Sequence, residues 1–207
     1  MRWSIYLITD PELSCGRTHS DVVTQAACAG VEVVELRDET LPPSRLVEIG
    51  RIIRDISRDV GVTLIVGDRT DVALDVDADG VRVNADDVAV ARRTVGPNRL
   101  VGCAVASADQ ARQAQADGAS YVLVGPIFAP TDGHSQNAPT GAQAVAIVKR
   151  AVAIPVLAFG GINADNVADV IRNGADGVAV TSAIAGSPDI PGAVRGLHAA
   201  IQSARNT

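Results

Sequence analysis

The most chemically suggestive residues are a pair of glycines and a hydroxyl-bearing turn. Gly160-Gly161-Ile162-Asn163 and Thr181-Ser182-Ala183-Ile184 each follow a short apolar run and open a helical stretch. Glycine presents its backbone N–H with no Cβ in the way, and N–H groups and hydroxyls at a helix start attract anions. Gly160, Gly161, Thr181 and Ser182 are therefore expected to bind a phosphate.

Other ends of apolar runs carry charge. Asp68 and Asp87 follow two neighbouring runs, and Mg²⁺ takes one or two protein carboxylates together with phosphate oxygens. Aspartate is also abundant here and caps helices, so the pair is a metal candidate on spacing alone. Arg37 closes the run Val31-Glu32-Val33-Val34-Glu35-Leu36 and could clamp an anion bidentately. Alternation turns Glu35 inward, where a carboxylate needs a partner such as Arg37 or a ligand group. Glu35, Arg82, Cys103 and His134 are the candidate acid/base groups, and Arg37 joins them as a candidate catalytic residue. His19 and His198 fall on helix flanks and read as inert.

These residues need a scaffold, and the sequence supplies a regular one. Short apolar runs occur at Ser4–Thr9, Val31–Arg37, Thr63–Val66, Gly80–Val83, Leu100–Ala104, Tyr121–Gly125, Pro155–Phe159 and Gly177–Thr181. Most are continuous Val/Ile/Leu runs, as in strands covered on both faces of a parallel sheet. Helical stretches lie between them, such as Leu46, Ile49, Ile53 and Ile56 along Ser44–Val60. Ser20, Asp21, Ser44, Ser107 and Asn163 sit where N-caps belong, and Gly30, Gly61, Gly118 and Gly174 where helices stop. Ala-Asp-Gly recurs at Ala78–Gly80, Ala116–Gly118 and Ala175–Gly177, ahead of strands. This alternation predicts an α/β fold, a single (β/α)8 TIM barrel over residues 1–207, with its site at the C-terminal ends of the strands. A doubly wound open sheet is the rival, but no GxGxxG follows the first run.

Composition narrows the function. The chain has 207 residues and a formal net charge of -6. Seventeen arginines accompany one lysine, Lys149. Acidic balance and dispersed arginines argue against a nucleic-acid partner. No apolar run reaches the roughly 18 residues of a membrane span, so no membrane partner is expected. The start, Met1-Arg2-Trp3-Ser4-Ile5-Tyr6, goes straight into a strand-like pattern, and a cytoplasmic location is expected. Cys15, Cys28 and Cys103 read as reduced thiols, with Cys28 in the core and Cys103 near a strand end where it could face the site.

Together these residues resemble the thiamine phosphate synthase family, including its TenI-like thiazole tautomerase branch. The resemblance runs over essentially the whole chain, from Tyr6-Leu7-Ile8-Thr9-Asp10 through Leu36-Arg37, Asp68-Arg69 and Ala78-Asp79-Gly80-Val81. It continues through Gly125-Pro126-Ile127-Phe128 and Gly160-Gly161-Ile162 to Gly177–Ile184. It implies a (β/α)8 barrel and a small phosphorylated heterocyclic ligand. A synthase of this family joins a thiazole phosphate to a hydroxymethylpyrimidine diphosphate, releasing pyrophosphate. By the resemblance Arg37 matches the pyrophosphate arginine, and Asp68 and Asp87 match the Mg²⁺ aspartates. Gly160, Gly161 and Thr181-Ser182 match the thiazole-phosphate site.

The departures cluster on one side. Where the family reads Gln-Leu-Arg-x-Lys, this chain has Glu35-Leu36-Arg37-Asp38-Glu39. Gly67 replaces Asn, Arg82 replaces His, Ala85 replaces Gln, and Ala104 and Ala106 replace Ser and His. Asp132 and Gly133 stand in a loop that normally holds Thr and Lys. Lys149 lies on the helix before the seventh strand and cannot substitute. The thiazole-phosphate half thus looks intact and the pyrophosphate half dismantled, as in the tautomerase branch. Pro126 departs from that branch in turn, standing where it has a histidine. The expected function is TenI-like proton transfer on a heterocyclic phosphate. A Mg²⁺-dependent synthase, a lyase or isomerase for another phosphorylated metabolite, and a non-catalytic phosphate-binding protein are the alternatives. A homodimer is a further expectation.

Overall fold

Eight short strands, apolar but for a few residues such as Glu35 and Arg82, close on one another because both of their faces are largely covered. A computed structural model describes residues 3–129 and 138–206. The strands are β1 (Ile5–Ile8), β2 (Val33–Leu36), β3 (Thr63–Gly67), β4 (Gly80–Asn84), β5 (Leu100–Val105), β6 (Tyr121–Val124), β7 (Val156–Phe159) and β8 (Gly177–Val180). They form a closed parallel barrel in sequence order. Leu7 is registered against Val34 on one side and Val180 on the other. The helices between them are α1 (His19–Cys28), α2 (Pro43–Val60), α3 (Thr70–Asp75), α4 (Val88–Val95), α5 (Ala108–Ala116), α6 (Gln143–Lys149) and α7 (Val167–Arg172), and β8 is followed by α8 (Ser182–Ala185) and α9 (Ile190–Arg205). The fold is the expected (β/α)8 barrel. No described helix is long and apolar enough to cross a membrane.

Strand alternation splits the core in two. Val34, Leu36, Val81, Cys103 and Val122 pack outward against the helices. Tyr6, Ile8, Val33, Ile65, Tyr121 and Leu157 fill the barrel itself. The chain has only five aromatic residues, and three of them meet inside: Trp3 lies edge-on to Tyr121 with centroids 5.1 Å apart, and Tyr6 and Tyr121 are 6.0 Å apart. Gly102 faces the same space. A Cβ there would come within 2.2 Å of the Tyr121 ring, so the inward position on β5 must be side-chain-free.

Helix boundaries follow local chemistry, with some shifts from expectation. Thr18, not Ser20 or Asp21, caps α1, in a capping box with Asp21. The turn of α2 opens on Pro42-Pro43 rather than on Ser44. Asn163 starts a turn by accepting the Asp165 N–H, and α7 begins after Asn166. Ser107 caps α5 as expected. Cys28 is exposed rather than in the core.

Two of the three Ala-Asp-Gly repeats have a shared purpose. Asp79 accepts the Leu64 N–H at 2.8 Å, and Asp176 accepts the Val156 N–H at 2.7 Å. Each carboxylate thus ties down the start of a neighbouring strand and is neutralised by a helix cation. Arg54 forks onto Asp79, and Lys149 reaches Asp176 at 2.5 Å. Lys149 is therefore spent at the end of the barrel opposite the strand C-termini.

Candidate active site

Across the C-terminal ends of the strands lies a cavity of about 680 Å³. Its centre is built from inward positions of β2, β3 and β4. Glu35 is fully buried. Its carboxylate accepts from Arg82 Nε at 2.9 and 3.0 Å and from the Tyr6 hydroxyl at 2.6 Å. Arg82 Nη2 also reaches Asp68, at 3.2 Å. The intervening inward position on β3 is Gly67, where a Cβ would meet Glu35 Oε1 at 2.8 Å. The buried pair thus exists because the strand between its partners carries no side chain.

Burial alone would make Arg82 easier to deprotonate. The charge of Glu35, its hydrogen bonds and the charge of Asp68 outweigh that and hold the guanidinium pKa above its ordinary value. Arg82 is therefore a fixed cation and not a proton donor, which corrects its candidacy as an acid/base group. Burial and then the charge of Glu35 push the Tyr6 hydroxyl up as well. Cys103 is also corrected: it points outward from β5 between Gly102 and Ala104, into the helical layer. Burial raises its thiol pKa to about 12.

Arg37 does not pair with Glu35. It lies one step further out and donates to Glu39, from Nε at 3.1 Å. Asp68 faces the cavity and has φ 56°, a left-handed conformation uncommon outside glycine. Asp87 is exposed in the turn after β4 and does not line the cavity. Asp68 has already engaged Arg82, and the described residues hold no group of three potential metal ligands. Of the two aspartates, Asp68 is the one that faces the cavity, where Mg²⁺ would be shared with a ligand phosphate. His134 lies outside the described residues, as do Asp132 and Gly133.

One pair at the site has no mark in the sequence pattern. His19, on the first turn of α1, is buried, and its Nε2 lies 3.1 Å from Asp38 Oδ2. Asp38 also accepts from the Thr40 N–H and hydroxyl at 2.8 and 2.7 Å, and from the Leu41 N–H at 3.2 Å. The arrangement pins the segment after β2, which carries Arg37 and Glu39, against α1. Burial would raise the Asp38 pKa, but the hydrogen bonds from Thr40 and His19 lower it overall. A carboxyl depressed on folding stabilises above its unfolded pKa of about 4 and loses that contribution as pH falls further. The Thr40 and Leu41 amides should accordingly lose hydrogen-exchange protection below about pH 4, and lack it at any pH in Asp38→Ala. Equal protection factors at pH 6 and pH 3 in the wild type would count against this brace.

The opposite wall is the glycine pair. Gly160 and Gly161 have φ 93° and 62°. A Cβ on Gly160 would lie 2.6 Å from Pro126, and one on Gly161 would lie 2.7 Å from the Ala129 carbonyl oxygen. The carbonyls are tied away from the cavity, Gly160 accepting from the Phe128 N–H at 3.1 Å and Gly161 from Asn166 Nδ2 at 2.9 Å. The Gly160, Gly161 and Ser182 N–H groups have no acceptor among the described residues. Together with Thr181, these residues line the cavity and offer unpaired donors to an anion.

Comparisons with known proteins agree with this architecture. A family model described as thiamine monophosphate synthase matches residues 5–184. A thiamine-phosphate synthase of Roseiflexus sp. (strain RS-1) is 45% identical over 202 residues, covering 97% of this chain and 86% of that protein. One of Moorella thermoacetica is 41% identical over 206 residues, covering 99% and 98%. Among solved structures, a thiamine phosphate pyrophosphorylase from Pyrococcus furiosus superposes with a TM-score of 0.87 at 34% identity, covering 98% of this chain and 97% of that one.

Proposed function

The chain belongs to the thiamine monophosphate synthase family, and we propose that it binds a small heterocyclic monophosphate and moves a proton on it, without gripping a diphosphate. The charge around the cavity carries this reading. Its described charged lining residues are two arginines, Arg37 and Arg82, against Asp10, Glu12, Asp38, Glu39 and Asp68. Both arginines are already matched by carboxylates of the chain.

A diphosphate leaving group would add its charges to that wall. Like charges about 5 Å apart at an effective dielectric near 20 repel by ~3 kcal/mol per pair. One phosphate at the far wall, on the unpaired N–H groups beside Gly160 and Ser182, avoids most of that repulsion. Asp68 then serves as the proton carrier, since it is the carboxylate that both faces the cavity and stands beside the buried cation. The proton leaves one ring atom and returns to another, so the step needs no oxidant and no leaving group.

The test is aromatisation of the non-aromatic tautomer of thiazole phosphate in the presence of EDTA. The protein should speed it by ~10²-fold or more, the range of general acid–base catalysis, and Asp68→Asn should remove most of that gain. A wild-type rate equal to buffer would contradict the proposal. The second reading is synthesis of thiamine phosphate. It is supported by the names of relatives that match 97–99% of the chain at 41–45% identity.

A further inference from the structure

The turn that forms one side of the phosphate wall is held from behind by a loop that the proposed chemistry does not use. α8 is a single turn, Ser182–Ala185, followed by Gly186 and Ser187. Carbonyls at the end of a helix have no partner within it. Here three in succession face the loop between β1 and α1. Arg17 Nη1 donates to the Ala185 carbonyl at 3.1 Å and Nη2 to the Ser187 carbonyl at 2.8 Å. Between them, the Cys15 thiol lies 3.6 Å from the Gly186 carbonyl oxygen. A Cβ on Gly186 would come within 2.8 Å of the Ser182 carbonyl oxygen and 3.4 Å of that of Leu13, so loop and turn pack backbone to backbone.

The loop is itself closed. The Ser14 hydroxyl donates to the Asp10 carbonyl at 2.5 Å. The Ser14 carbonyl accepts from the Arg17 N–H at 3.1 Å and from its Nη1 at 3.4 Å. Ser14 is buried and Arg17 half-buried. Pro11, Glu12 and Leu13 line the cavity while Arg17 does not, so the loop ties the β1 side of the cavity to the turn after β8.

Direction separates this contact from ordinary packing. Ile184 and Ala185 are fully buried and hold the turn against the barrel. Apolar burial is non-directional, and one helical turn has little stability of its own. A planar guanidinium that spans two carbonyls sets the orientation that burial leaves open. That orientation decides where the Ser182 N–H points.

We propose that Arg17 is a positioning residue for the anion site: by clamping the exit of α8 it aims the Ser182 N–H at the ligand phosphate. The inference rests on the phosphate wall of the reading above and adds to it a residue that does not touch the ligand.

The test is calorimetry of inorganic phosphate, thiazole phosphate and the dephosphorylated thiazole alcohol, together with hydrogen exchange by NMR at Ile184, Ala185 and Gly186. In the wild type these three amides donate to the Thr181 and Ser182 carbonyls. Arg17→Met removes hydrogen bonds from a charged donor, so the aligned fraction of the turn should fall, with both phosphate affinities dropping about tenfold and the three amides exchanging about tenfold faster. Affinity for the alcohol should not change. Arg17→Lys keeps the charge but grips one carbonyl at a time, and should lose about threefold in phosphate affinity. It decides the case alone if the methionine variant does not fold. Wild-type phosphate affinity in Arg17→Lys would make the effect one of charge and overturn the proposal. Equal weakening of alcohol and phosphates would overturn it too, since general loosening would then suffice. Failure of the phosphate reading looks different: the wild type would bind neither phosphate. Faster exchange in Arg17→Met would then still uphold the clamp, and unchanged exchange would overturn it.

Discussion

Replacing Arg82 with methionine should lower the free energy of unfolding by about 3–5 kcal/mol, the usual loss when one partner of a buried ion pair is removed. The reason is the group left behind. Glu35 is fully buried, and among the described residues Tyr6 supplies its one other hydrogen bond. Without Arg82 its carboxylate is an uncompensated charge inside the barrel. Domains of this kind have a total stability of roughly 5–15 kcal/mol, so the loss is a large share. Glu35→Gln in the same chain should restore most of it, because the amide keeps an acceptor for Tyr6 and carries no charge. Urea unfolding of the single and double variants measures both effects. An Arg82→Met protein as stable as the wild type would show that the pair does not hold the centre of the barrel.

That pair also marks where sequence reading stops. All eight strands are legible to within about two residues, because a barrel strand covered on both faces is largely an apolar run. The inward turn of Glu35 was legible from alternation. Its partner was not, since Arg37 is near in sequence whereas Arg82 arrives from β4 across the gap that Gly67 leaves. A glycine between two inward charged residues on flanking strands was the available signal. The position of Cys103 near the end of β5 suggests the site, but its parity points it outward, because Gly102 and Ala104 take the inward places. His19 falls on a helix flank in the sequence, and its contact with Asp38 links segments that only the closed barrel brings together. The glycine pair and the Thr181-Ser182 turn lie on one cavity, as the strand ends required. Asp68 and Asp87 do not, because the turn after β4 leaves Asp87 exposed at its end.

The second large effect concerns the coupling reaction itself. A diphosphate substrate would enter a mouth whose described charged lining residues number two arginines and five carboxylates, with both arginines already paired. Releasing pyrophosphate requires stabilising the charge that develops on it, and the loss of even one such donor typically costs 10²–10³-fold in rate. Glu39 sharpens the point. It holds Arg37, and the hydrogen bond and charge of Arg37 in turn lower its pKa, so it remains anionic at neutral pH. The direct measurement is to incubate the protein with thiazole phosphate and hydroxymethylpyrimidine diphosphate, with Mg²⁺ and with EDTA, and to quantify thiamine phosphate. The predicted result is no product above the enzyme-free control in either arm; Mg²⁺-dependent formation of thiamine phosphate over repeated turnovers would contradict the account.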